Sequence, residues 1–262
     1  MTAYADEPPA CADYTYHDSD PELEAWNRTF TSRVGNGTGD PEEDFLAVVK
    51  LIATCRTNAK CLDIGCGYGR FIEMICDSAE SVVGLEPDLK RFLACCDSLR
   101  DRDRIQIVRA TSHDFKIAHP ETRFDIIIVS MVLQHVTTGI CDQILADVRD
   151  LLVPKGVAVI STAQQHIERF VCQSNSTALT VEEFNGYAAD AFNQRWGLPI
   201  RNFSKRSFID AIERADLHII HWGQFSYVRP EKLAWYAAMV NVPAAAIEDV
   251  GVSQYAVVTR TS

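Results

Sequence analysis

The chain has 262 residues, 47% of them hydrophobic, which fits one α/β domain with additions. Its formal net charge of −11 at pH 7 repels polyanions and argues against sequence-independent binding to nucleic acid. No stretch approaches the roughly 20 apolar residues that a membrane helix needs. Residues 1–9 are acidic and lack the basic start and apolar run of a secretion signal. We therefore expect a cytoplasmic protein with no nucleic-acid or membrane partner.

The nine cysteines are an odd number in a chain without a secretion signal, which argues against a disulfide framework. Cys95 and Cys96 are neighbours in a predicted helix, and Cys61, Cys66 and Cys76 lack zinc-ribbon spacing. Since a free cysteine behaves as a small hydrophobic residue, we expect buried thiols and no metal site.

A helix is predicted to follow the first 40 residues, since Asp40 can cap it and Pro41 suits its first position. From residue 60 onward, short apolar runs alternate with helical patterns. The predicted strands are 60–64, 81–86, 105–109, 124–130 and 157–162, and the predicted helices are 69–78, 88–100 and 139–152. Strands that alternate with helices predict a parallel sheet covered on both faces.

Residues 163–203 break this alternation and carry many polar and aromatic side chains, with a helix predicted near 180–195. A helix from Ser204 to 215, strands at 217–225 and 253–260, and a helical segment at 230–247 are predicted after them. The predicted fold class is α/β: a doubly wound, mostly parallel seven-stranded sheet with helices on both faces. The predicted parts are an N-terminal tail and cap segment (1–40), a core (41–162), a cap insertion (163–203) and a C-terminal completion of the sheet (204–262).

The glycine-rich turn in LDIGCGYGRF (62–71) joins a predicted strand to a predicted helix. Glycines let the backbone approach a ligand without a Cβ clash, and a helix N-terminus offers N–H groups to a carboxylate. Glu86 ends the second predicted strand, 21 residues after Gly65. A carboxylate there can accept hydrogen bonds from both hydroxyls of a ribose. The pattern therefore predicts a nucleoside-binding site.

Spacing separates two classes of nucleoside ligand. Dinucleotide folds use G-x-G-x-x-G, whereas here the third glycine falls one residue early, at Gly69, and Asp63 lies two residues before the first. This D-x-G-x-G-x-G pattern resembles the first motif of the class I (Rossmann-like) methyltransferases that depend on S-adenosylmethionine (SAM). NAD-dependent oxidoreduction is the rival interpretation.

Three further segments resemble later motifs of that family: Glu86-Pro87-Asp88, the strand 124–129, and Leu151–Gly156, where Lys155 replaces the first of two glycines. The resemblance covers residues 41–162 and, more loosely, 204–260. It implies that SAM is the cofactor, that a methyl group is transferred directly to a nucleophile, and that no metal is required.

The resemblance also implies roles for individual residues. Gly65 and Gly67 contact the methionine part of SAM through their backbone, Asp63 faces its amino group, and Glu86, followed by Pro87, binds the ribose. In the α-N-terminal protein methyltransferases, which share a G-x-G-x-G-R run, the residue that matches Arg70 pairs with the SAM carboxylate; the alternative is an ordinary surface charge.

The family's acidic residue that reads the adenine amino group is missing after the third strand, or is displaced to Asp114. Thr111, Ser112 or the backbone are expected to contact adenine instead. Ser130 and Met131, at the end of the fourth strand, are also expected at the cofactor.

His135 follows the fourth strand and is the candidate general base, since histidine titrates near neutral pH. The alternative is a packing or positioning role, because the acid that works with the matching histidine in the N-terminal protein methyltransferases is missing near Thr162. Candidate acceptor-binding residues are Tyr14, Tyr16, Gln134, His166, Tyr187 and Trp196. A small-molecule acceptor with an O or N nucleophile is the first interpretation. The alternatives are a peptide or protein acceptor and a non-catalytic SAM-binding regulator.

Overall fold

The structure is a computed structural model that describes residues 43–100, 102–172, 177–189, 199–226 and 252–261. The helices are α1 Glu43–Cys55, α2 Arg70–Ile75, α3 Leu89–Ser98, α4 Ser112–Ala118, α5 Thr138–Leu151, α6 Val181–Ala189 and α7 Lys205–Arg214. The strands are β1 Ala59–Ile64, β2 Ala79–Leu85, β3 Ile105–Val108, β4 Phe124–Ser130, β5 Leu152–Ala163, β6 Arg169–Cys172, β7 Ala178–Leu179, β8 Pro199–Asn202, β9 Leu217–Ser226 and β10 Val252–Arg260. A 3₁₀ turn, Leu133–His135, lies between β4 and α5.

Seven strands form the main sheet in the order β3-β2-β1-β4-β5-β10-β9. The first five pair in parallel, and β10 is antiparallel to both β5 and β9. The predicted fold class is therefore confirmed: a mostly parallel seven-stranded sheet of the doubly wound type. A second, antiparallel sheet, β7-β6-β8, lies in the segment that follows β5.

The core is divided between the two faces of the main sheet, because successive strand residues point to opposite faces. On one face Leu62 of β1 joins a cluster that includes Leu145 of α5, and all of these side chains are buried. On the other face Cys61 of β1 joins a cluster with Ile72 of α2. Burial on both faces explains why the inner strands read as nearly continuous apolar runs.

Several elements differ from their sequence predictions. The helix α4 was not predicted; it begins where the Thr111 hydroxyl accepts a hydrogen bond from the amide of Asp114. The strand predicted at 157–162 begins earlier, at Leu152, since Leu152 pairs with Phe124 ahead of a register shift. The helix predicted at 69–78 ends at Ile75.

The insertion also differs from its prediction. The helix expected near 180–195 is α6, Val181–Ala189, and strands β6, β7 and β8 were not predicted. Short strands are specified by their partners more than by their own sequence, which accounts for the omission. The predicted tail and cap segment at 1–40 and the helix at 230–247 lie outside the described residues.

None of the described helices has the length and apolarity that crossing a membrane requires. Over the same residues, no three His, Cys, Asp or Glu side chains are grouped as a set that could hold a metal ion. The eight cysteines described are free thiols, and six of them are buried.

Candidate active site

The candidate site lies at the carboxyl edge of the main sheet, where β1, β2 and β4 end side by side. Asp63 is the second-last residue of β1, Glu86 directly follows β2, and Ser130 ends β4. In parallel α/β sheets ligands bind at this edge. The topology thus brings together three of the segments that the sequence singled out.

The glycine-rich loop is tied to the neighbouring strand by its backbone. The amides of Gly65 and Cys66 both donate to the Leu85 carbonyl oxygen, at 2.8 and 3.0 Å. Gly65, Gly67 and Gly69 have φ values of +71°, +56° and +86°. Side-chain-bearing residues rarely adopt this left-handed region, so the turn requires glycine at these points.

The Glu86 carboxylate is buried, with 4% exposure, and closes the other side of the loop. Its Oε2 accepts from the Gly67 amide at 2.8 Å, and its Oε1 accepts from the Asp88 amide at 2.9 Å. Burial raises the pKa of Glu86, against the opposing effect of the Arg91 guanidinium and of these two amides. Each carboxylate oxygen has a second lone pair, so the group can still accept from a diol.

Asp63 lies beneath the same loop and is 1% exposed. Burial, followed by repulsion from Glu86, raises the pKa of Asp63 to about 8. Its Oδ2 has no hydrogen-bond partner among the described residues. A buried polar atom without a partner is costly, and an ammonium group or a water beside it would satisfy it.

The space above Gly67 completes the cradle. A Cβ built on Gly67 would meet no atom of the described residues within 4 Å, whereas a Cβ on Gly65 would come within 2.5 Å of Val132 Cγ2. In the described part of the chain, Gly67 therefore faces open space and Gly65 faces packed protein. These features fit SAM, the expected cofactor. The open space at Gly67 suits its methionine part, the unpartnered Oδ2 of Asp63 suits its amino group, and the Glu86 carboxylate suits its ribose hydroxyls.

We expect Asp63→Asn to make the stability of the free protein less sensitive to alkaline pH. The raised pKa means that the folded chain binds more protons than the unfolded chain between about pH 4 and pH 8, so stability falls as pH rises through that window. The difference in free energy of unfolding, variant minus wild type, should grow from pH 5 to pH 8 in urea titrations. Asp77→Asn, at an exposed carboxylate, is the control. A difference independent of pH would contradict the assignment.

The residues expected at adenine have other side-chain partners. The Thr111 hydroxyl caps α4 and contacts Asp114 Oδ2 at 2.7 Å. The Ser112 hydroxyl donates to the buried carboxylate of Asp147 in α5 at 2.8 Å. The Ala110 amide donates to the Val108 carbonyl, and the Thr111 carbonyl accepts from the Phe115 amide, both at 3.1 Å. Pro87, which was expected beside the ribose, accepts through its carbonyl from Arg109 Nε at 3.3 Å.

Two residues at the end of β4 are tied to β5. Ser130 Oγ lies 2.9 Å from Ser161 Oγ, and the Met131 amide donates to the Ser161 carbonyl at 3.0 Å. Met131 has a φ of +57°, a left-handed conformation that is uncommon for a residue with a side chain. Such conformations persist where the surrounding contacts impose them, and they concentrate at functional sites.

Arg70 opens α2, and its guanidinium lies 5.5 Å from the centroid of the Phe71 ring. The Arg91 guanidinium of α3 lies over the ring of Tyr68 in the loop, 5.8 Å from the ring centroid. The sequence interpretation did not single out Arg91, although its place in the first turn after Glu86-Pro87-Asp88 was a usable signal.

His135 and Gln134 lie in the 3₁₀ turn, beside the ends of β4 and β5. Gln134 is buried, and its Oε1 accepts from Thr162 Oγ1 and from the Ala163 amide at 3.1 and 3.0 Å. His135 Nε2 is 3.2 Å from Gln134 Nε2, and Nδ1 is 3.4 Å from the Pro199 carbonyl. Burial lowers the pKa of His135 to about 4. The contact with the Pro199 carbonyl acts to raise this pKa, and the positive charge of Arg91 acts to lower it further. The ring is therefore neutral at pH 7 and a weak base.

The other candidate acceptor-binding residues are only partly described. His166 is exposed in the segment between β5 and β6. Tyr187 belongs to α6, but its side chain is outside the described part of the structure, as are Tyr14, Tyr16 and Trp196. The sequence interpretation missed Ser161, whose polarity inside an apolar strand was the available signal.

Comparison with known proteins identifies the family. A family profile described as "Methyltransferase domain" matches residues 42–222, more than half of the chain. The ubiquinone biosynthesis O-methyltransferase of Pelagibacter ubique is 29% identical over 119 residues, which are 44% of this chain and 46% of that protein. The chain thus spans about half the length of the curated relatives that it matches.

Solved structures share the fold. N-methyltransferase NodS from Bradyrhizobium japonicum, in complex with S-adenosylhomocysteine, has a TM-score of 0.57 and 12% identity, over 93% of this chain and all of that one. The 1,6-didemethyltoxoflavin-N1-methyltransferase of Burkholderia thailandensis, with its substrate and S-adenosylhomocysteine bound, has a TM-score of 0.59 and 15% identity, over 96% and 95%. The chain belongs to the methyltransferase-domain family and shares the Rossmann-like fold of these structures.

Proposed function

We propose that the chain transfers the methyl group of SAM to an oxygen or nitrogen nucleophile of a small molecule. The single observation that carries the proposal is the cradle formed by Asp63, Gly67 and Glu86 at the carboxyl edge of the sheet. In this cradle we assign the ribose of SAM to the buried carboxylate of Glu86. We assign the amino group of SAM to the buried carboxylate of Asp63, 23 positions earlier in the chain.

SAM supplies an activated methyl group on a sulfonium, so the main task of the protein is alignment. Glu86 binds the ribose hydroxyls, Asp63 faces the amino group, and Gly65 and Gly67 let the backbone approach the methionine part. Arg70 pairs with the carboxylate at the start of α2, where a bidentate contact is favourable. Fixing two reactants in this way contributes on the order of 7–11 kcal/mol in favourable cases.

We place the adenine against the backbone that follows β3. The hydroxyls of Thr111 and Ser112 are engaged with α4 and α5, and the Ala110 amide and the Thr111 carbonyl have backbone partners, so the amides of Thr111 and Ser112 are the proposed donors to the base. Pro87, Ser130 and Met131 complete the proposed cofactor site from the neighbouring strand ends.

The acidic charge argues against a nucleic-acid acceptor, and the segment after β5 favours a small molecule. The net charge of −11 opposes nucleic acid as a substrate. Within residues 163–203, Asn185 exchanges two hydrogen bonds with Thr138 at the start of α5, close to the 3₁₀ turn. We propose that this insertion, with the N-terminal segment, covers the acceptor. His166, Tyr187, Trp196, Tyr14 and Tyr16 remain the candidates that contact it.

The reaction is tested with SAM labelled in its methyl group and an extract separated into small molecules and peptides. We expect label in the small-molecule fraction. Label confined to peptides would identify a peptide methyltransferase, and saturable binding of SAM without transfer to either fraction would identify a non-catalytic regulator. The acidic surface, which suits a basic peptide, is the one feature that favours the second acceptor class.

We expect His135→Asn to retain most of the turnover with the acceptor found in this way. The Asn amide can still donate to the Pro199 carbonyl but cannot take up a proton, so the variant separates a structural role from base catalysis. A general base contributes about 10²–10⁴-fold, and a loss of that size in kcat, with SAM binding intact, would show that His135 is the base.

A further inference from the structure

The side chain of Gln134 links the 3₁₀ turn after β4 to the end of β5. Its Oε1 lies 3.0 Å from the Ala163 amide and 3.1 Å from Thr162 Oγ1. A backbone N–H can only donate, so the oxygen of the Gln134 amide must face Ala163. The nitrogen of the amide is then fixed on the other side, towards His135.

This orientation decides the tautomer of His135. Gln134 Nε2 lies 3.2 Å from His135 Nε2, and an amide nitrogen only donates, so His135 Nε2 accepts. The proton of the neutral ring therefore sits on Nδ1, which donates to the Pro199 carbonyl at 3.4 Å. The opposite tautomer would set two donors against each other at Gln134 and two acceptors against each other at Pro199.

Pro199 is the first residue of β8, so this chain of hydrogen bonds reaches the insertion. Directly after the other end of β8, the Phe203 amide donates to the Ala163 carbonyl at 3.1 Å, and the Gln165 amide donates to the Phe203 carbonyl at 2.9 Å. The insertion is thus held to the end of β5 directly and to the 3₁₀ turn through His135. Both attachments meet at Ala163, the residue that orients Gln134.

We propose that Gln134 is a positioning residue: it fixes His135 as the Nδ1-protonated neutral ring, and this ring holds β8 against the turn that follows β4. The assignment reinterprets two residues that the sequence suggested as an acceptor contact and a general base. That the arrangement serves acceptor binding rests on the proposed function, whereas the hydrogen-bond order itself does not.

The neutral state of the ring follows from its surroundings. His135 is half-buried and faces the Gln134 amide and the Pro199 carbonyl. The positive charge of Arg91 on α3 disfavours a positive charge on the His135 ring. Protonation of Nε2 would also place two donors face to face, since Ala163 prevents the Gln134 amide from turning over.

The test is a ¹⁵N NMR spectrum of the imidazole nitrogens of the full chain, titrated between pH 5 and 8. In the wild type we expect Nδ1 protonated and Nε2 unprotonated across the range. In Gln134→Glu a carboxylate oxygen faces Nε2, so we expect Nε2 to gain a proton and the pKa of His135 to rise by about 1–3 pH units. Gln106→Glu, which adds the same charge on β3 at the edge of the main sheet, should leave the His135 signals unchanged.

A proton on Nε2 in the wild type, or identical His135 signals in the wild type and Gln134→Glu, would overturn the proposal. A second measurement tests the attachment of β8 by amide hydrogen exchange at residues 199–202. His135→Leu should speed exchange there and His135→Asn should not, and equal rates in both variants would also overturn it. Calorimetric titration of the same wild-type sample with S-adenosylhomocysteine is independent: failure to bind would refute the proposed function and leave the tautomer result standing.

Discussion

Replacing Glu86 with alanine is expected to weaken binding of S-adenosylhomocysteine by about 1.5–3 kcal/mol, the usual contribution of hydrogen bonds to a charged group. In Kd this is roughly a 10- to 150-fold loss, since each 1.4 kcal/mol is tenfold. The carboxylate has two tasks: it is proposed to accept from the ribose, and it holds the amides of Gly67 and Asp88. Alanine removes both the ligand contact and the brace of the loop.

Calorimetric titration measures this effect, with circular dichroism to check that the variant is folded. Glu80→Ala is the matched control, since Glu80 lies on the same strand, β2, but is exposed. We expect its Kd to equal that of the wild type. An unchanged Kd in Glu86→Ala would remove Glu86 from the cofactor site.

The two glycines of the loop are expected to respond differently to alanine. In Gly65→Ala the new Cβ would lie 2.5 Å from Val132 Cγ2, so the substitution adds overpacking, about 1–3 kcal/mol, to a left-handed conformation that costs about 1–2 kcal/mol. In Gly67→Ala the Cβ meets none of the described residues within 4 Å, so we expect only the conformational cost to apply to stability. Its methyl group instead enters the space that we assign to the cofactor.

Thermal unfolding and titration with S-adenosylhomocysteine separate the two effects. Gly65→Ala should lower Tm more than Gly67→Ala does, and Gly67→Ala should lose affinity out of proportion to its small loss of stability. If Gly67→Ala binds as tightly as the wild type, the open space above Gly67 is not where the cofactor lies.

The strands were predictable where the sequence itself carries their cause. The apolar, β-branched run at 124–130 is buried on both faces in β4, and its boundaries are those of the prediction. In contrast, β6, β7 and β8 have two to four residues each and exist through their mutual pairing, which no local pattern reveals. The helix α4 was missed because its seven residues are too few for a helical period to emerge.

The candidate site was predictable in its backbone and less so in its side chains. The spacing of the glycines located the loop, because a tight turn requires glycine locally. The position of Glu86 located the other side of the cradle, because the strand that it follows is visible in the sequence as an apolar run. The partners of Ser112, Gln134 and His135 were not visible, because Asp147, Ala163 and Pro199 are distant in sequence. The sequence shows that a polar side chain is near the site, and the fold determines whether another protein group already uses it.

The position of the cofactor is tested by a crystal structure of the protein grown with S-adenosylhomocysteine. We expect one molecule per chain, with both ribose hydroxyls about 2.5–3.0 Å from the Glu86 carboxylate and the amino-acid part along Gly65–Gly67, beside Asp63. The ligand bound elsewhere, with Glu86 still held only by the amides of Gly67 and Asp88, would contradict it.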